Sequence, residues 1–293
     1  MTRERIPQAD LLQLCELAQK AARAAGEYIQ SKVDTQYGQG RKEGGTSIAS
    51  QVVTEVDLRA QEIILTYLQD SFDRYDLGLL TEEAADDQSR LKQAHFWCID
   101  PLDGTLPFTE GRPGYAVSIA LVSQAGDPVI GVVCLPDQAN CYAALKDGGV
   151  QLNGHPFKRP ATESPQRLQV CLDRSFTKEE KYGRIKSRLS DWAALEGLEG
   201  VAFHTHYGAV RNAITVMTFG RGCYFKFPKE EQGGGSIWDF AATRLLFEEL
   251  GMPVSNFSGQ RLHLNDPAST FMHRVGILYA SDAPVATGVM GLG

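Results

Sequence analysis

An apolar run leads directly into two acidic side chains in the stretch Trp97-Cys98-Ile99-Asp100-Pro101-Leu102-Asp103-Gly104-Thr105. If the chain turns after Asp100, the carboxylates of Asp100 and Asp103 can reach one point. Gly104 and Thr105 can then offer backbone N–H groups to an anion. Oxygen ligands beside such an anion cradle are what a magnesium-assisted phosphate site requires. The alternative is an Asp-Pro turn whose second aspartate caps a short helix, which on composition alone is the commoner use of this pattern.

The composition is that of an ordinary globular protein, with 293 residues, 43% hydrophobic content and 22% charged content. That length predicts either two domains or one large domain. The net charge of -7 argues against binding to a nucleic acid polymer, which requires a positive surface. Acidic residues become informative where they converge, because two carboxylates about 4 Å apart repel by roughly 4 kcal/mol at an effective dielectric of 20. A cluster of carboxylates must therefore bind cations, take up protons or spread apart.

The six cysteines lie far apart and form no C-x-x-C pair, so the usual zinc and thioredoxin-like motifs are missing. Most of them stand beside apolar residues, which predicts buried, reduced thiols. The first eight residues are charged and polar, and no apolar run approaches the roughly 18 residues of a membrane span. We therefore expect a cytoplasmic protein without a membrane partner.

The spacing of apolar residues predicts the elements of the first half. A helix is expected over Ala9–Lys32, and a second should start near Asp57, where Thr54-Glu55-Val56-Asp57 matches a capping box. The Gly- and Ser-rich segment Tyr37–Ser50 is predicted to be a loop. Four apolar runs in close succession predict antiparallel strands: Phe96–Ile99, Tyr115–Val122, Val129–Leu135 and Cys141–Leu145.

Prolines, charges and small polar residues over Lys158–Arg167 predict a linker. It would divide the chain into an α+β half, residues 1–158, and an α/β half, residues 159–293. In the second half, strands and helices alternate. Strands are predicted over Arg167–Leu172, Val201–Tyr207, Cys223–Phe227 and Arg274–Ala280, and helices over Lys178–Leu189, Val210–Phe219 and Trp238–Leu250.

Five motifs, in this order, resemble the inositol monophosphatase superfamily. Its members are lithium-sensitive, magnesium-dependent phosphatases, and it includes 3'(2'),5'-bisphosphate nucleotidases and fructose-1,6-bisphosphatases. The resemblance covers nearly the whole chain and implies a layered αβαβα sandwich of two α/β halves, with the active site at their junction, and a homodimer. The motifs are Val53-Thr54-Glu55-Val56-Asp57, Leu80-Thr81-Glu82-Glu83, Asp100–Thr105 with Tyr115–Val122 behind it, Trp238-Asp239-Phe240-Ala241-Ala242 and Gly251-Met252-Pro253-Val254.

The resemblance also implies a set of metal ligands for two or three Mg²⁺ ions. Glu82, Asp100 and the backbone carbonyl of Leu102 would hold one ion. Asp100, Asp103 and Asp239 would hold a second. Most of these ligands lie in the first half, whereas Asp239 and the substrate contacts lie in the second.

Catalytic and phosphate-binding roles follow from the same resemblance. Glu82 and Thr105 would position the attacking water and help to deprotonate it. Asp57 would support Thr105 or hold an additional, weaker ion. The backbone N–H groups of Gly104 and Thr105, together with Asp103, would receive the substrate phosphate. The implied reaction is direct in-line attack by water on phosphorus, without a covalent intermediate.

Each of these residues also has a plainer interpretation. Asp57 could complete the capping box with Thr54, and Asp239 could cap the helix that it opens. Glu82 could belong to a solvated acidic loop, and Thr105 could cap a turn. Arg211, Lys226 and Lys229 could meet substrate anions, although lone basic residues are usually surface charge. The loop Gly233–Gly235 could approach a phosphate or substrate or could be a mobile surface loop.

An inositol or sugar monophosphate is the first substrate class that we expect. A 3'(2'),5'-bisphosphate nucleotide is the second, because Tyr224-Phe225-Lys226-Phe227-Pro228 before Trp238-Asp239 resembles the nucleotidase branch. A catalytically silent regulator that binds metal or ligand on the same fold is the third possibility. Departures from the family pattern at Leu106-Pro107, Thr81 and Asn256 bear on the substrate, since the metal ligands are intact.

Overall fold

A seven-stranded sheet forms the first half of the fold. The computed structural model describes residues 6–37, 46–160 and 167–292. Strands stand in the sheet in chain order, with β1 parallel to β2 and all later neighbours antiparallel. They are β1 (Gly78–Thr81), β2 (His95–Asp103), β3 (Ala116–Ser123), β4 (Pro128–Leu135), β5 (Asn140–Leu145), β6 (Gly149–Leu152) and β7 (His155–Pro156).

A five-stranded sheet forms the second half, in the order β11-β12-β10-β8-β9. Its strands β8, β9 and β10 are parallel to one another, whereas β12 runs antiparallel to both β10 and β11. The strands are β8 (Leu168–Cys171), β9 (Val201–His204), β10 (Gly222–Lys226), β11 (Val254–Ser255) and β12 (Ile277–Ala280).

Helices cover both faces of both sheets, which gives five layers. They are α1 (Gln8–Tyr37), α2 (Thr46–Tyr75), α3 (Thr105–Thr109), α4 (Tyr182–Leu195), α5 (Ala209–Thr218), α6 (Ile237–Glu249) and α7 (Ala283–Met290). One core joins α1 and α2 to the outer face of the first sheet, and a second core packs α5 and α6 between the two sheets. A third core joins α4 and α7 to the outer face of the second sheet. The predicted αβαβα sandwich is thereby confirmed.

Strand β2 shows why the central strands are apolar throughout rather than alternating. Phe96 and Cys98 belong to the core between the sheets, whereas Trp97 and Ile99 face α1 and α2. A strand that is covered on both faces buries every side chain, so apolar residues are favoured at all positions. None of the helices in the described ranges is long and apolar enough to cross a membrane.

The second helix differs from the prediction. It begins at Thr46, so the backbone of Thr54–Asp57 lies inside the helix and is not a capping box at its start. The three- and four-residue spacing of Ala49, Val53, Val56 and Ala60 continues upstream of Asp57, and this pattern was the stronger signal. The predicted loop Tyr37–Ser50 is wrong at Tyr37, which ends α1, and from Thr46 onward, and its residues 38–45 lie outside the described ranges.

Most other predicted elements are present with shifted ends. Helix α4 begins at Tyr182 rather than Lys178, after a 3₁₀ turn over Arg174–Lys178. The short strands β1, β6, β7 and β11 and helix α7 were not predicted. Residues 161–166 of the predicted linker lie outside the described ranges, and the division at residues 158 and 159 stays a prediction.

Candidate active site

An irregularity in β2 brings Asp100 and Asp103 to one side of the sheet. Asp100 pairs with Ser118 and Asp103 with Ala116, so β2 contains one more residue than β3 across this interval. Side chains three apart on a regular strand point to opposite faces, and one extra residue cancels that alternation. The Asp-Pro-Leu-Asp spacing therefore converges because Pro101-Leu102 forms a bulge.

Helix α6 carries the third carboxylate to this point. Asp239 lies in its first turn, where its Oδ2 accepts a 2.7 Å hydrogen bond from the Ser236 backbone N–H. The buried Ser118 hydroxyl donates to the Trp238 carbonyl at 3.2 Å and so ties the start of α6 to β3 beside Asp100. The predicted cap interpretation of Asp239 is thus present together with its convergence on the acidic pair.

Asp100, Asp103 and Asp239 form the acidic cluster. Each offers one carboxylate oxygen such that the three oxygens all lie within 4.8 Å of one another. Asp100 and Asp103 are buried, and Asp239 is half-buried. Burial first, and then the charges of Glu82, Asp103 and Asp239, raise the pKa of Asp100 well above its ordinary value. Burial and the charge of Asp239 do the same to the pKa of Asp103.

Asp103 has a second set of contacts, at the N-terminus of α5. Its Oδ1 and Oδ2 accept hydrogen bonds of 2.9 Å from the backbone N–H groups of Ala209 and Val210. These bonds partly offset the burial that raises its pKa. A Cβ on Gly208 would lie 2.7 Å from the Asp103 Cγ, so this approach requires glycine. Asp103 thus joins the acidic cluster to the second half of the chain.

Glu82 lies beside Asp100 because β1 and β2 are parallel. Thr81 pairs with Ile99, and the backbone N–H of Glu82 donates to the Ile99 carbonyl at 3.2 Å, which places Glu82 next to Asp100. As a whole residue it is exposed, unlike the two buried aspartates. Shielding of the carboxyl by protein, and then the charge of Asp239, raise the pKa of Glu82 to about 7. Its carboxylate borders the acidic cluster without belonging to the three that converge.

The other predicted site residues, Gly104, Thr105 and Asp57, lie around the acidic cluster. Thr105 begins α3, and its hydroxyl donates to the Leu102 carbonyl at 3.4 Å. Gly104 precedes it with φ of +85°, and a Cβ there would meet the Gly114 carbonyl oxygen at 2.7 Å. Asp57 is buried in α2, and burial followed by the charges of Glu83 and Glu82 raises its pKa to about 8. Across the described ranges, no hydrogen bond joins Asp57 to Thr105.

Sequence reasoning missed two residues that hold this arrangement together. Gly208 permits the contact between Asp103 and α5, and no motif marked it. Ser118 anchors α6, and a lone hydroxyl inside the apolar run Tyr115–Val122 was the only available signal. Lys226, which was considered only as a lone cation, lies near Asp239 and forms a 2.7 Å ion pair with Asp173.

The donor set fits a hard divalent cation. Three oxygen donors of like charge converge, two of them on buried residues, and their mutual repulsion favours either protonation or a bound cation. Nitrogen and sulfur ligands, which zinc favours, are absent from this cluster. Burial first, and then the repulsion between the carboxylates, raises the pKa values of Asp100 and Asp103.

Comparison with known proteins finds relatives over nearly the whole chain. A family model described as "Inositol monophosphatase family" matches residues 10–286. Nus factor SuhB of Escherichia coli strain K12 is 27% identical over 249 residues, which is 84% of this chain and 86% of that protein. Inositol monophosphatase of Mesembryanthemum crystallinum is 28% identical over 209 residues, or 71% and 74% of the two chains. The crystal structure of inositol monophosphatase II of Staphylococcus aureus superposes with a TM-score of 0.72 at 19% identity, covering 95% of this chain and 94% of that one.

Proposed function

Because this chain belongs to the inositol monophosphatase family, we propose that it is a magnesium-dependent phosphatase that hydrolyses a small phosphate monoester. The single observation that carries this proposal is the convergence of Asp100, Asp103 and Asp239 within 4.8 Å. Ionised carboxylates on residues up to 139 positions apart in the chain would repel one another at this distance without a cation. Family membership supplies the class of reaction, and the acidic cluster supports the use of metal.

The proposed ligands fall into two overlapping sets. Glu82, Asp100 and the Leu102 carbonyl hold one Mg²⁺, and Asp100, Asp103 and Asp239 hold another. When bound, Mg²⁺ would lower the pKa of a water molecule and neutralise charge on the transferring phosphoryl group. Asp100 belongs to both sets, which makes it the ligand whose loss costs most.

The remaining predicted residues act on water and phosphate. Glu82 and Thr105 position the attacking water and help to deprotonate it, with the Glu82 carboxylate as the group that can take the proton. Gly104 and Thr105 stand at the start of α3, where the first backbone N–H groups have no partner within the helix and can bind phosphate oxygens. Asp57, in this proposal, supports Thr105 or an additional ion.

An inositol or sugar monophosphate is the substrate class that we propose first. Family membership supports it, and a relative of 28% identity carries the name inositol monophosphatase. The enzyme would act in the cytoplasm as a homodimer. Light scattering on the purified protein would test whether it is a dimer.

A 3'(2'),5'-bisphosphate nucleotide is the second candidate, favoured by one cavity. A space of about 360 Å³ lies beside Lys226, and the rings of Phe176, Phe225 and Phe227 line it. Aromatic walls suit a flat nucleobase better than a polyhydroxylated ring. Phosphate release from myo-inositol-1-phosphate and from adenosine 3',5'-bisphosphate should therefore be compared, and a much higher kcat/KM on the nucleotide would reverse the order of the two candidates.

Replacement of a shared metal ligand tests the proposed chemistry. We expect Asp100→Asn to lose nearly all magnesium-dependent turnover, by a factor of about 10³ or more, while circular dichroism shows an unchanged fold. Asp191→Asn, on the exposed surface of α4, is the matched control and should keep full activity. Turnover by Asp100→Asn equal to the wild type would rule out the proposed ligand set.

A catalytically silent regulator on the same fold remains the alternative from another class. The E. coli relative carries the name of a Nus factor rather than of a phosphatase. Magnesium binding by calorimetry, without phosphate release from any of a broad panel of monoesters, would favour this alternative over catalysis.

A further inference from the structure

Two thiols face each other directly across β4 and β5. Cys134 pairs with Cys141 in the antiparallel register, and both are buried in the core beneath α1. The backbone N–H of Cys141 donates to the Asn153 Oδ1, and its carbonyl accepts from the Asn153 N–H, each at 2.9 Å. Both backbone groups of Cys141 therefore point away from β4. The two cysteines occupy a non-hydrogen-bonded pair, in which opposing Cα atoms lie about 4.5 Å apart and side chains come closest.

This position meets the main requirement for a disulfide. Cα atoms of bonded cysteines lie about 4.4 to 6.8 Å apart, and their side chains must be on one face of the sheet. The two thiols affect each other's ionisation, as expected for neighbouring sulfur atoms. Interaction with Cys134 lowers the pKa of Cys141 against the effect of burial, and interaction with Cys141, together with burial, raises the pKa of Cys134. No large movement of either strand is needed to join the two sulfur atoms.

Cys134 is also reachable from a cavity. A space of about 350 Å³ lies between α1 and the turn after β4, and Cys134, Arg23 and Gly26 line it. Because Gly26 lacks a side chain, α1 approaches the sulfur closely, and a Cβ at that position would lie 3.0 Å from the Cys134 Sγ. The cavity is large enough for a small oxidant to reach this thiol.

The other cysteines do not share this arrangement. Cys171 and Cys223 lie on neighbouring strands, but Cys171 pairs with Tyr224 and Cys223 with Val170. The two thiols consequently occupy different cores on opposite faces of the second sheet. Among the six cysteines, all within the described ranges, Cys134 and Cys141 are the one directly opposed pair.

We propose that Cys134 and Cys141 are a modification site, at which a hydroperoxide joins them in a cross-strand disulfide. The Cys134 sulfur attacks the terminal oxygen of the hydroperoxide, the O–O bond breaks, and the thiol proton leaves with the alcohol or water that is released. The resulting sulfenic acid on Cys134 is then attacked by the Cys141 sulfur. The S–S bond forms as the S–O bond breaks, and the hydroxyl leaves with the Cys141 proton as water. Two thiols are oxidised by two electrons, and the peroxide is reduced by two.

The site is independent of the proposed phosphatase function and is tested by thiol counting. The reduced full-length protein is treated with hydrogen peroxide, unfolded, alkylated and weighed by mass spectrometry. We expect four alkylated cysteines instead of six, and all six after reduction with a phosphine. Cleavage before Asp137, between the two cysteines, should leave their peptides joined until they are reduced.

Variants locate the bond. After peroxide treatment, Cys134→Ser should keep all five remaining thiols free. Cys141→Ser should form no disulfide and should keep four free thiols, with Cys134 held as a sulfenic acid. The matched control Cys171→Ser should still lose two thiols to a disulfide. If a serine variant does not fold, the peptide map of the wild-type protein decides by itself. Six alkylated cysteines after oxidation, a bond between other cysteines, or a bond between chains would overturn the proposal.

Discussion

Asp103 occupies two environments at once. One of its carboxylate oxygens lies within 4.8 Å of an oxygen of Asp100 and of Asp239. Both of its oxygens accept hydrogen bonds from backbone N–H groups of α5. Those hydrogen bonds stabilise negative charge that the neighbouring carboxylates destabilise. A single residue therefore couples the acidic cluster to the packing of α5. A shift of α5 should change the position of the Asp103 carboxylate, and a change in the acidic cluster should alter the packing of α5.

Gly208 is the position at which this coupling can be tested. Gly208→Ala places a Cβ against the Asp103 carboxylate, so we expect the free energy of unfolding to fall by about 1 to 3 kcal/mol. Displacement of the carboxylate should also lower kcat/KM by about 10²-fold. Gly183→Ala in α4 is the control, since its Cβ meets no atom within 4 Å and should leave activity unchanged. Wild-type stability and activity in Gly208→Ala would show that the contact is unimportant.

At the scale of elements, Arg244 fastens α6 to the turn between β3 and β4. The buried guanidinium donates to the Gly126 and Leu262 carbonyls and forms a 2.7 Å ion pair with Asp127. Burial alone would raise the pKa of Asp127, but the hydrogen bond and charge of Arg244 outweigh it and hold the pKa below its ordinary value. This clamp fixes the helix whose first turn carries Asp239.

The clamp predicts a pH-dependent contribution to stability. A carboxyl with a lowered folded pKa stabilises the protein above its unfolded pKa, and that contribution is lost as pH falls through the folded value. We expect Asp127→Asn to unfold with about 1 kcal/mol less free energy than the wild type at pH 7, and this difference should shrink progressively as pH falls below about 4. Urea denaturation at several pH values measures this. A difference that persists undiminished in acid would mean that the charge of Asp127 is not its cause.

At the scale of the whole molecule, the acidic cluster lies where both sheets and three helix starts meet. Strand β2 supplies Asp100 and Asp103, and the first turns of α3, α5 and α6 surround them. Each N-terminus adds partial positive charge, but the pKa values of Asp100 and Asp103 remain raised. The metal-free fold therefore retains protons that the unfolded chain would release.

Metal binding should accordingly be linked to pH. A carboxyl whose pKa is higher in the folded than in the unfolded state stabilises the metal-free fold most at low pH. This stabilisation falls as pH rises from about 4, near the unfolded pKa, through the folded pKa. Magnesium must displace these protons, so we expect it to raise Tm more at pH 8 than at pH 6. Thermal unfolding with magnesium or with a chelator measures this, and Asp100→Asn should shrink the effect. Equal shifts at both pH values would contradict the proposed link.

The sequence by itself determined most elements and the identity of the acidic residues. Helical spacing in α1 and α6 and the apolar runs of β2 to β5 depend on local patterns, which survive without knowledge of the partners. The capping box at Thr54–Asp57 failed because a local motif was weighed above the longer periodicity around it. The five motifs indicated the family because their order along the chain is visible in the sequence without a structure.

Only the tertiary structure decided how these residues meet. The bulge after Asp100, the parallel register that sets Glu82 beside it, and the docking of Asp103 on α5 all depend on residues that are distant in the chain. Gly208 and Ser118 carry no local signal, because their importance lies in what packs against them. Strand register and close contact arise from the simultaneous packing of five layers, and no single segment contains that information.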